Sequence, residues 1–200
     1  MPQETIYPMW ISDKNLFIHI PKTAGQAYRR TSGREWVKII GSHGYLSDLP
    51  EPEKYEDFNI FAFVRNPYER YASEYRHSYN RLYKYALEKR PLEDLYLEKF
   101  HTPSKYINHQ IERNRLNIQT RFIEHDFLKV KIYHFEDNPL LKGTNKKEDQ
   151  HYYGRYDWRQ WIDRETVEII NEYCRDDFKL GYEMKTYGQI NREVSGKTRR

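Results

Sequence analysis

Short apolar runs alternate with longer mixed stretches along most of the chain. Four runs predict buried strands, because a strand that is covered on both faces is apolar nearly throughout. The stretches between and after them predict helices, and this alternation favours an α/β fold with a central, mostly parallel sheet flanked by helices. The predicted strands are 16–20, 36–40, 60–64 and 130–135, and the predicted helices are 24–32, 66–89, 104–113, 118–125 and 163–177.

The length of 200 residues favours one domain, which we expect to span 1–190, and two smaller domains are the alternative. Residues 191–200 are polar and predict a flexible C-terminal tail. That tail contains Gly-Lys-Thr, a fragment of the P-loop signature, but Asn191 stands where the signature has its first glycine. The fragment also lacks the required preceding strand, so we do not interpret it as a nucleotide site.

Composition indicates a folded protein with an aromatic-rich core. Only 38% of the residues are hydrophobic, but there are 19 tyrosines and four tryptophans, which bury large areas. The net charge is +4, and the basic residues are interleaved with acidic ones. This pattern favours a local anion site over a nucleic-acid surface. The single cysteine, Cys174, excludes an intramolecular disulfide, and no Cys/His spacing predicts a metal site.

The stretch "FIHIPKTAGQAYRR" (17–30) carries the first candidate chemistry. An apolar strand ends at a proline, and Lys22 then precedes a turn and the predicted start of a helix. Main-chain N–H groups at a helix start are unpaired, and the helix dipole adds partial positive charge there. The seam between strand and helix therefore predicts an anion site.

The stretch "FAFVRNPYERYASEYRH" (61–77) carries the second. Arg65 ends a strand, Asn66 is a good N-cap and Pro67 suits the first position of a helix. Ser73 lies two helical turns after Asn66 and is expected on the same helix face. Since ligands of open α/β sheets lie beyond the carboxyl ends of strands, Lys22 and Arg65 together predict a ligand with two anionic groups.

These two segments resemble the cofactor-binding segments of sulfotransferases. "HIPKTAG" and "FVRNPYERYASEY" are most similar to the carbohydrate-type branch, which includes heparan sulfate 2-O-sulfotransferases and related bacterial enzymes. "NIQTRFI" (117–123), "IYHFED" (132–137) and "IDRETVEIINEYCRDDFKLGY" (162–182) are similar to later elements of that family. The resemblance implies a P-loop-like three-layer fold and transfer of a sulfuryl group from 3′-phosphoadenosine 5′-phosphosulfate (PAPS) to a hydroxyl group.

Site residues follow from this resemblance by position. Arg65 and Ser73 correspond to the 3′-phosphate site. One departure is that Gln26 and Ala27 stand where the family usually has hydroxyl-bearing residues, which puts the strength of donor binding in question. The implied 5′-phosphosulfate loop consists of Lys22, Thr23, Ala24, Gly25, Gln26 and Ala27.

Transfer to an alcohol requires a base for its proton and a group that stabilises the leaving phosphate. His43, which follows the strand predicted at 36–40, is the candidate base because a neutral histidine accepts protons near pH 7. Its segment resembles the Gly-His-x-x-Tyr segment of the family, although Ser42 separates Gly41 from His43. Lys22 is the candidate for stabilising the leaving group.

Two alternatives remain open at this point. A nucleotide kinase or other phosphotransferase is disfavoured by the incomplete Walker motif, and an inactive binding module of the same fold is favoured by Gln26 and Ala27. We expect a glycan or small-molecule hydroxyl acceptor and no metal, nucleic-acid partner or membrane span. Eukaryotic relatives usually carry a Golgi membrane anchor, and no membrane-spanning run is visible in this sequence. We therefore expect a cytoplasmic protein of bacterial or viral origin. The oligomeric state is not readable from the sequence.

Overall fold

The computed structural model describes residues 9–39, 44–87, 100–137 and 157–197. The chain divides into two compact units: the first unit contains Met1–Arg65 and Asn117–Gly154, and the second unit contains Asn66–Leu116 and Arg155–Arg200. The expectation of a single domain over 1–190 stays a prediction. The strands and α-helices, in chain order, are β1 (Met9–Ser12), β2 (Asn15–Ile18), α1 (Gly25–Thr31), β3 (Val37–Ile39), β4 (Asn59–Val64), α2 (Pro67–Leu87), α3 (Pro103–Glu112), α4 (Gln119–Ile123), β5 (Lys131–His134), α5 (Arg164–Tyr173), α6 (Arg175–Phe178) and α7 (Tyr187–Lys197).

The first unit is built on a five-stranded sheet with the order β3-β1-β2-β4-β5. β2 is parallel to β4 and β4 is parallel to β5, whereas β1 is antiparallel to both of its neighbours. The prediction of a mixed α/β fold with a mostly parallel sheet is confirmed, and the P-loop-like three-layer arrangement stays a prediction. Because β2, β4 and β5 run in the same direction, their carboxyl ends meet at one edge of the sheet.

The four strands predicted from apolar runs are confirmed as β2, β3, β4 and β5. β1 was not predicted. It has only four residues and joins β2 through a two-residue turn in which Asp13 adopts a φ of 51°. Hairpins of this kind are normally signalled by Asn-Gly or Asp-Gly, and the Asp-Lys pair present here gives no such signal.

The core of the first unit is aromatic, as the composition predicted. Phe17, Phe61 and Phe63 form a buried cluster on the sheet, and the rings of Phe17 and Phe61 stack with centroids 5.3 Å apart. Tyr28 of α1 packs edge-on against Phe63 at 4.8 Å. Such pairs add roughly 0.5–1.5 kcal/mol each beyond their buried area. This packing fixes α1, and hence the loop that leads into it, against the sheet.

The second unit is helical and has its own core. Tyr75, Phe100 and Tyr106 form a buried cluster. Next to it, the fully buried guanidinium of Arg70 pairs with Glu74 at 3.2 Å along α2. Removing one partner of a buried ion pair typically costs about 3–5 kcal/mol, because the other charge is left without compensation. Arg70 and Glu74 therefore stabilise this unit.

Helix α7 was not predicted and runs past residue 191 into the segment interpreted as a tail. Hydrogen bonds at its N-terminus explain why this helix forms. The Thr186 hydroxyl accepts from the Gln189 main-chain N–H at 3.3 Å, and the Gln189 side chain accepts from the Thr186 main-chain N–H at 2.7 Å. This reciprocal pair is a capping box. The buried Ile190 then anchors the helix in the second unit.

Candidate functional site

The loop between β2 and α1 has an unusual main-chain conformation. Lys22 and Ala24 both adopt left-handed backbone angles, with φ of 66° and 60°. Thr23 between them is fully buried, and its hydroxyl donates to the carbonyl of Ile20 at 2.8 Å. A left-handed conformation costs a residue with a side chain roughly 1–2 kcal/mol. Strain of this kind is concentrated at functional loops, and this is the loop in which the sequence predicted an anion site.

Gly25, the first residue of α1, is packed against the preceding strand. A Cβ at this position would lie 2.2 Å from His19 Cδ2 and 2.9 Å from both His19 Nε2 and Phe17 Cζ. Glycine at this position would also let a phosphate approach the main chain closely, which stays a prediction. The packing against His19 is a second and independent reason for glycine, and no pattern in the sequence predicts it.

His19 itself is buried in the first unit. Its pKa is lowered to about 4, because burial disfavours the charged ring and the cations of Arg29 and Lys22 disfavour it further. The imidazole is therefore neutral at pH 7. His19 acts as a packing residue under the loop, which agrees with its position inside an apolar run.

Arg65 follows the last residue of β4 and reaches the loop. Its Nη1 donates to the main-chain carbonyl of Lys22 at 3.4 Å, and its guanidinium lies over the ring of Phe135, 4.5 Å from the centroid. The sequence predicted that Lys22 and Arg65 would lie at the same edge of the sheet. The structure brings them together there, within the first unit.

Gln119, the first residue of α4, holds the main chain of Arg65. The Arg65 N–H donates to Gln119 Oε1 at 2.9 Å, and Gln119 Nε2 donates to the Arg65 carbonyl at 2.9 Å. The Gln119 side chain is fully buried. Residues 117–123 resemble an element of the sulfotransferase family, but no role was predicted for Gln119. Its neighbours in the sequence, Ile118 and Thr120, do not mark it as a buried residue.

The remaining loop residues differ in exposure. Gln26 is exposed and Ala27 is half-buried, both in the first turn of α1. The two positions at which the family usually has hydroxyl-bearing residues thus carry one exposed amide and one small apolar side chain.

Ser73 lies on α2 in the second unit and is half-buried. The predicted start of this helix is confirmed, because Asn66 Oδ1 accepts from the Tyr68 main-chain N–H at 3.0 Å and Pro67 is the first helical residue. The pairing of Ser73 with Arg65 around one phosphate stays a prediction. The proposed base, His43, lies outside the described residues.

Among the residues that the structure describes, no group of three or more His, Cys, Asp and Glu side chains could hold a metal ion. Within the same residues, no helix combines the length and the apolar character needed to cross a membrane.

Part of the chain matches a model of a known protein family. A model of the sulfotransferase family matches residues 9–106. This segment contains the loop that follows β2, as well as Arg65, Ser73 and His43. No curated protein and no solved structure gives a significant match. The family match supports a sulfotransferase family for this chain and indicates that the protein is a sulfotransferase, an enzyme that transfers sulfuryl groups.

Proposed function

We propose that the protein transfers the sulfuryl group of PAPS to a hydroxyl group of a carbohydrate. The observation that supports this most is the contact between Arg65 and the carbonyl of Lys22, which brings two basic residues to one edge of the sheet. PAPS carries a 5′-phosphosulfate and a 3′-phosphate, and it needs a cationic partner at each end. The resemblance to sulfotransferases assigns Lys22 to the first and Arg65 to the second.

The donor-binding residues fit this ligand in their chemistry. Lys22 provides positive charge, and Arg65 provides a planar group that can bind a phosphate through two N–H donors. Ser73 adds a hydroxyl for the same 3′-phosphate. The loop Lys22–Ala27 contributes main-chain N–H groups and the Gln26 amide, and Thr23 supports its conformation through the bond to Ile20.

His43 and Lys22 carry the transfer step. His43 takes the proton of the acceptor hydroxyl while the acceptor oxygen forms a bond to sulfur. The bond between sulfur and the bridging phosphate oxygen breaks, and Lys22 stabilises the negative charge that this oxygen gains. The products are a sulfate ester, adenosine 3′,5′-bisphosphate and a protonated His43.

An inactive binding module is the second candidate function. It is favoured by one observation: Gln26 and Ala27 replace two residues that usually carry hydroxyls in the family. Such a module would bind adenosine 3′,5′-bisphosphate without transferring sulfate. Binding and turnover therefore need separate measurements.

The test combines ligand binding with transfer of label. In a thermal-shift series, adenosine 3′,5′-bisphosphate should stabilise the protein more than AMP, ADP or ATP at equal concentration. A ligand that binds only the folded state adds roughly 2.7 kcal/mol at 100 times its dissociation constant. The protein should then transfer ³⁵S from labelled PAPS to an oligosaccharide. Binding without transfer would favour the binding module, and stabilisation by ATP with magnesium alone would favour a phosphotransferase.

A further inference from the structure

We propose that Gln119 is a positioning residue that sets the preference of this protein for nucleotides with a 3′-phosphate. It does so by fixing the main chain of Arg65, and it touches no substrate itself. The inference rests on the proposed function, because it assigns Arg65 to the 3′-phosphate. It gives a role to a residue whose function the sequence did not predict.

Arg65 lies between the end of β4 and the start of α2. Val64, paired with His134, ends the ladder between β4 and β5, and α2 begins at Pro67. Arg65 thus lies at the junction between a strand and a helix, where neither element dictates its main-chain direction. The amide of Gln119 supplies that direction through two hydrogen bonds of 2.9 Å.

The Gln119 amide pairs with the Arg65 main chain through both its oxygen and its nitrogen. One planar amide both donates to and accepts from the main chain of the same residue, which is the pattern of a β-ladder pair. Rotating Arg65 about its main chain would break both bonds at once. Gln119 is fully buried, so water cannot readily replace them, and each group left without a partner would destabilise the rotated conformation.

The side chain of Arg65 is also restrained. Its guanidinium is held by the ring of Phe135 and by the carbonyl of Lys22. With the main chain fixed by Gln119, the direction of the guanidinium is set before a ligand arrives. Preorganisation of this kind increases affinity by reducing the entropy that binding costs. The benefit should apply to the phosphate that Arg65 binds and not to the other end of the nucleotide.

The test compares two ligands on variants of Gln119. Gln119→Met keeps the length of the side chain and removes both hydrogen bonds. Gln119→Glu keeps the acceptor for the Arg65 N–H and removes the donor to its carbonyl. Arg121→Lys is the matched control, because it changes an exposed side chain of the same helix and keeps its charge. Calorimetry measures the dissociation constants of adenosine 3′,5′-bisphosphate and AMP for each protein, and circular dichroism confirms folding.

We expect Gln119→Met to weaken binding of the bisphosphate about tenfold, the effect of roughly 1.4 kcal/mol, and to change AMP binding less than threefold. Gln119→Glu should fall between this variant and the parent, and Arg121→Lys should match the parent. An unchanged ratio of the two dissociation constants in Gln119→Met would overturn this inference and leave the proposed function intact. So would a failure of both Gln119 variants to fold, which would assign the residue to stability. A parent protein that binds both ligands equally would overturn the proposed function, and this inference with it.

Discussion

The imidazole of His19 occupies the space in which a side chain at position 25 would lie. A Cβ on Gly25 would come within 2.2 Å of His19 Cδ2. Because position 25 has no side chain, the start of α1 packs directly against residues at the end of β2. Between them runs the loop with two left-handed residues, Lys22 and Ala24. The conformation of the candidate phosphosulfate loop therefore depends on this packing contact.

The first prediction is that Gly25→Ala destabilises the protein by about 1–3 kcal/mol, the usual effect of overpacking. Urea unfolding followed by circular dichroism measures this. Gly188→Ala is the matched control, because a Cβ there meets nothing within 4 Å, so it should be neutral or slightly stabilising in its helix. The double variant His19→Ala/Gly25→Ala should recover part of the loss. Gly25→Ala with parental stability would show that the contact relaxes without cost.

The second prediction concerns stability at acid pH. The pKa of His19 is about 4 in the folded protein, below the ordinary value of 6.5. Because the unfolded chain binds this proton more readily, the contribution of His19 is constant above pH 6.5, is lost as the pH falls towards 4, and levels off below that. The loss amounts to about 3 kcal/mol. Urea unfolding at several pH values should show this slope in the parent and a shallower one in His19→Phe. Identical slopes would contradict the prediction.

The sheet was predictable because its strands carry continuous apolar runs, and the meeting of Lys22 with Arg65 followed from the rule that parallel strands end at one edge. β1 was missed because Met9–Ser12 is short and its turn lacks glycine. The capping box at Thr186 and Gln189 is present in "TYGQI" but was not predicted, and the polar residues after it favoured a tail. The role of Gln119 was not readable, because its partner Arg65 is 54 positions away and nothing local marks a buried amide for a distant main chain.

The third prediction tests Arg65 directly. Arg65→Ala should weaken binding of adenosine 3′,5′-bisphosphate about ten- to a hundredfold, because a charge-assisted contact contributes roughly 1.5–3 kcal/mol. Binding of AMP should weaken much less, because AMP has no 3′-phosphate. Arg65 would affect AMP through its long 3.4 Å hydrogen bond to the main-chain carbonyl of Lys22. Arg30→Ala is the control, since it removes the same charge from an exposed position on α1. Calorimetry with both ligands provides the comparison. Equal losses for the two ligands would mean that Arg65 supports the fold and not the 3′-phosphate.

The fourth prediction separates binding from chemistry at Lys22. If its ammonium contacts the 5′-phosphosulfate in the ground state and also stabilises the leaving group, Lys22→Ala should weaken donor binding and lower kcat together. Steady-state kinetics with labelled PAPS and calorimetry with adenosine 3′,5′-bisphosphate measure the two effects. Lys14→Ala is a suitable control, since Lys14 is an exposed lysine paired with Asp57 in the turn after β1. A Lys22→Ala protein with unchanged kcat would remove Lys22 from the transfer step.

The fifth prediction concerns His43 as the base. His43→Ala should lower kcat by roughly 10²–10⁴ and leave affinity for adenosine 3′,5′-bisphosphate nearly unchanged, because a base faces the acceptor and not the donor. The parent rate should fall on acidification around the ordinary histidine pKa of about 6.5, and this limb should be absent in His43→Ala. His19 cannot produce such a limb, since its pKa in the folded protein is about 4. Circular dichroism at each pH separates loss of rate from unfolding. A His43→Ala enzyme with near-parental kcat and an intact acid limb would exclude His43 as the base.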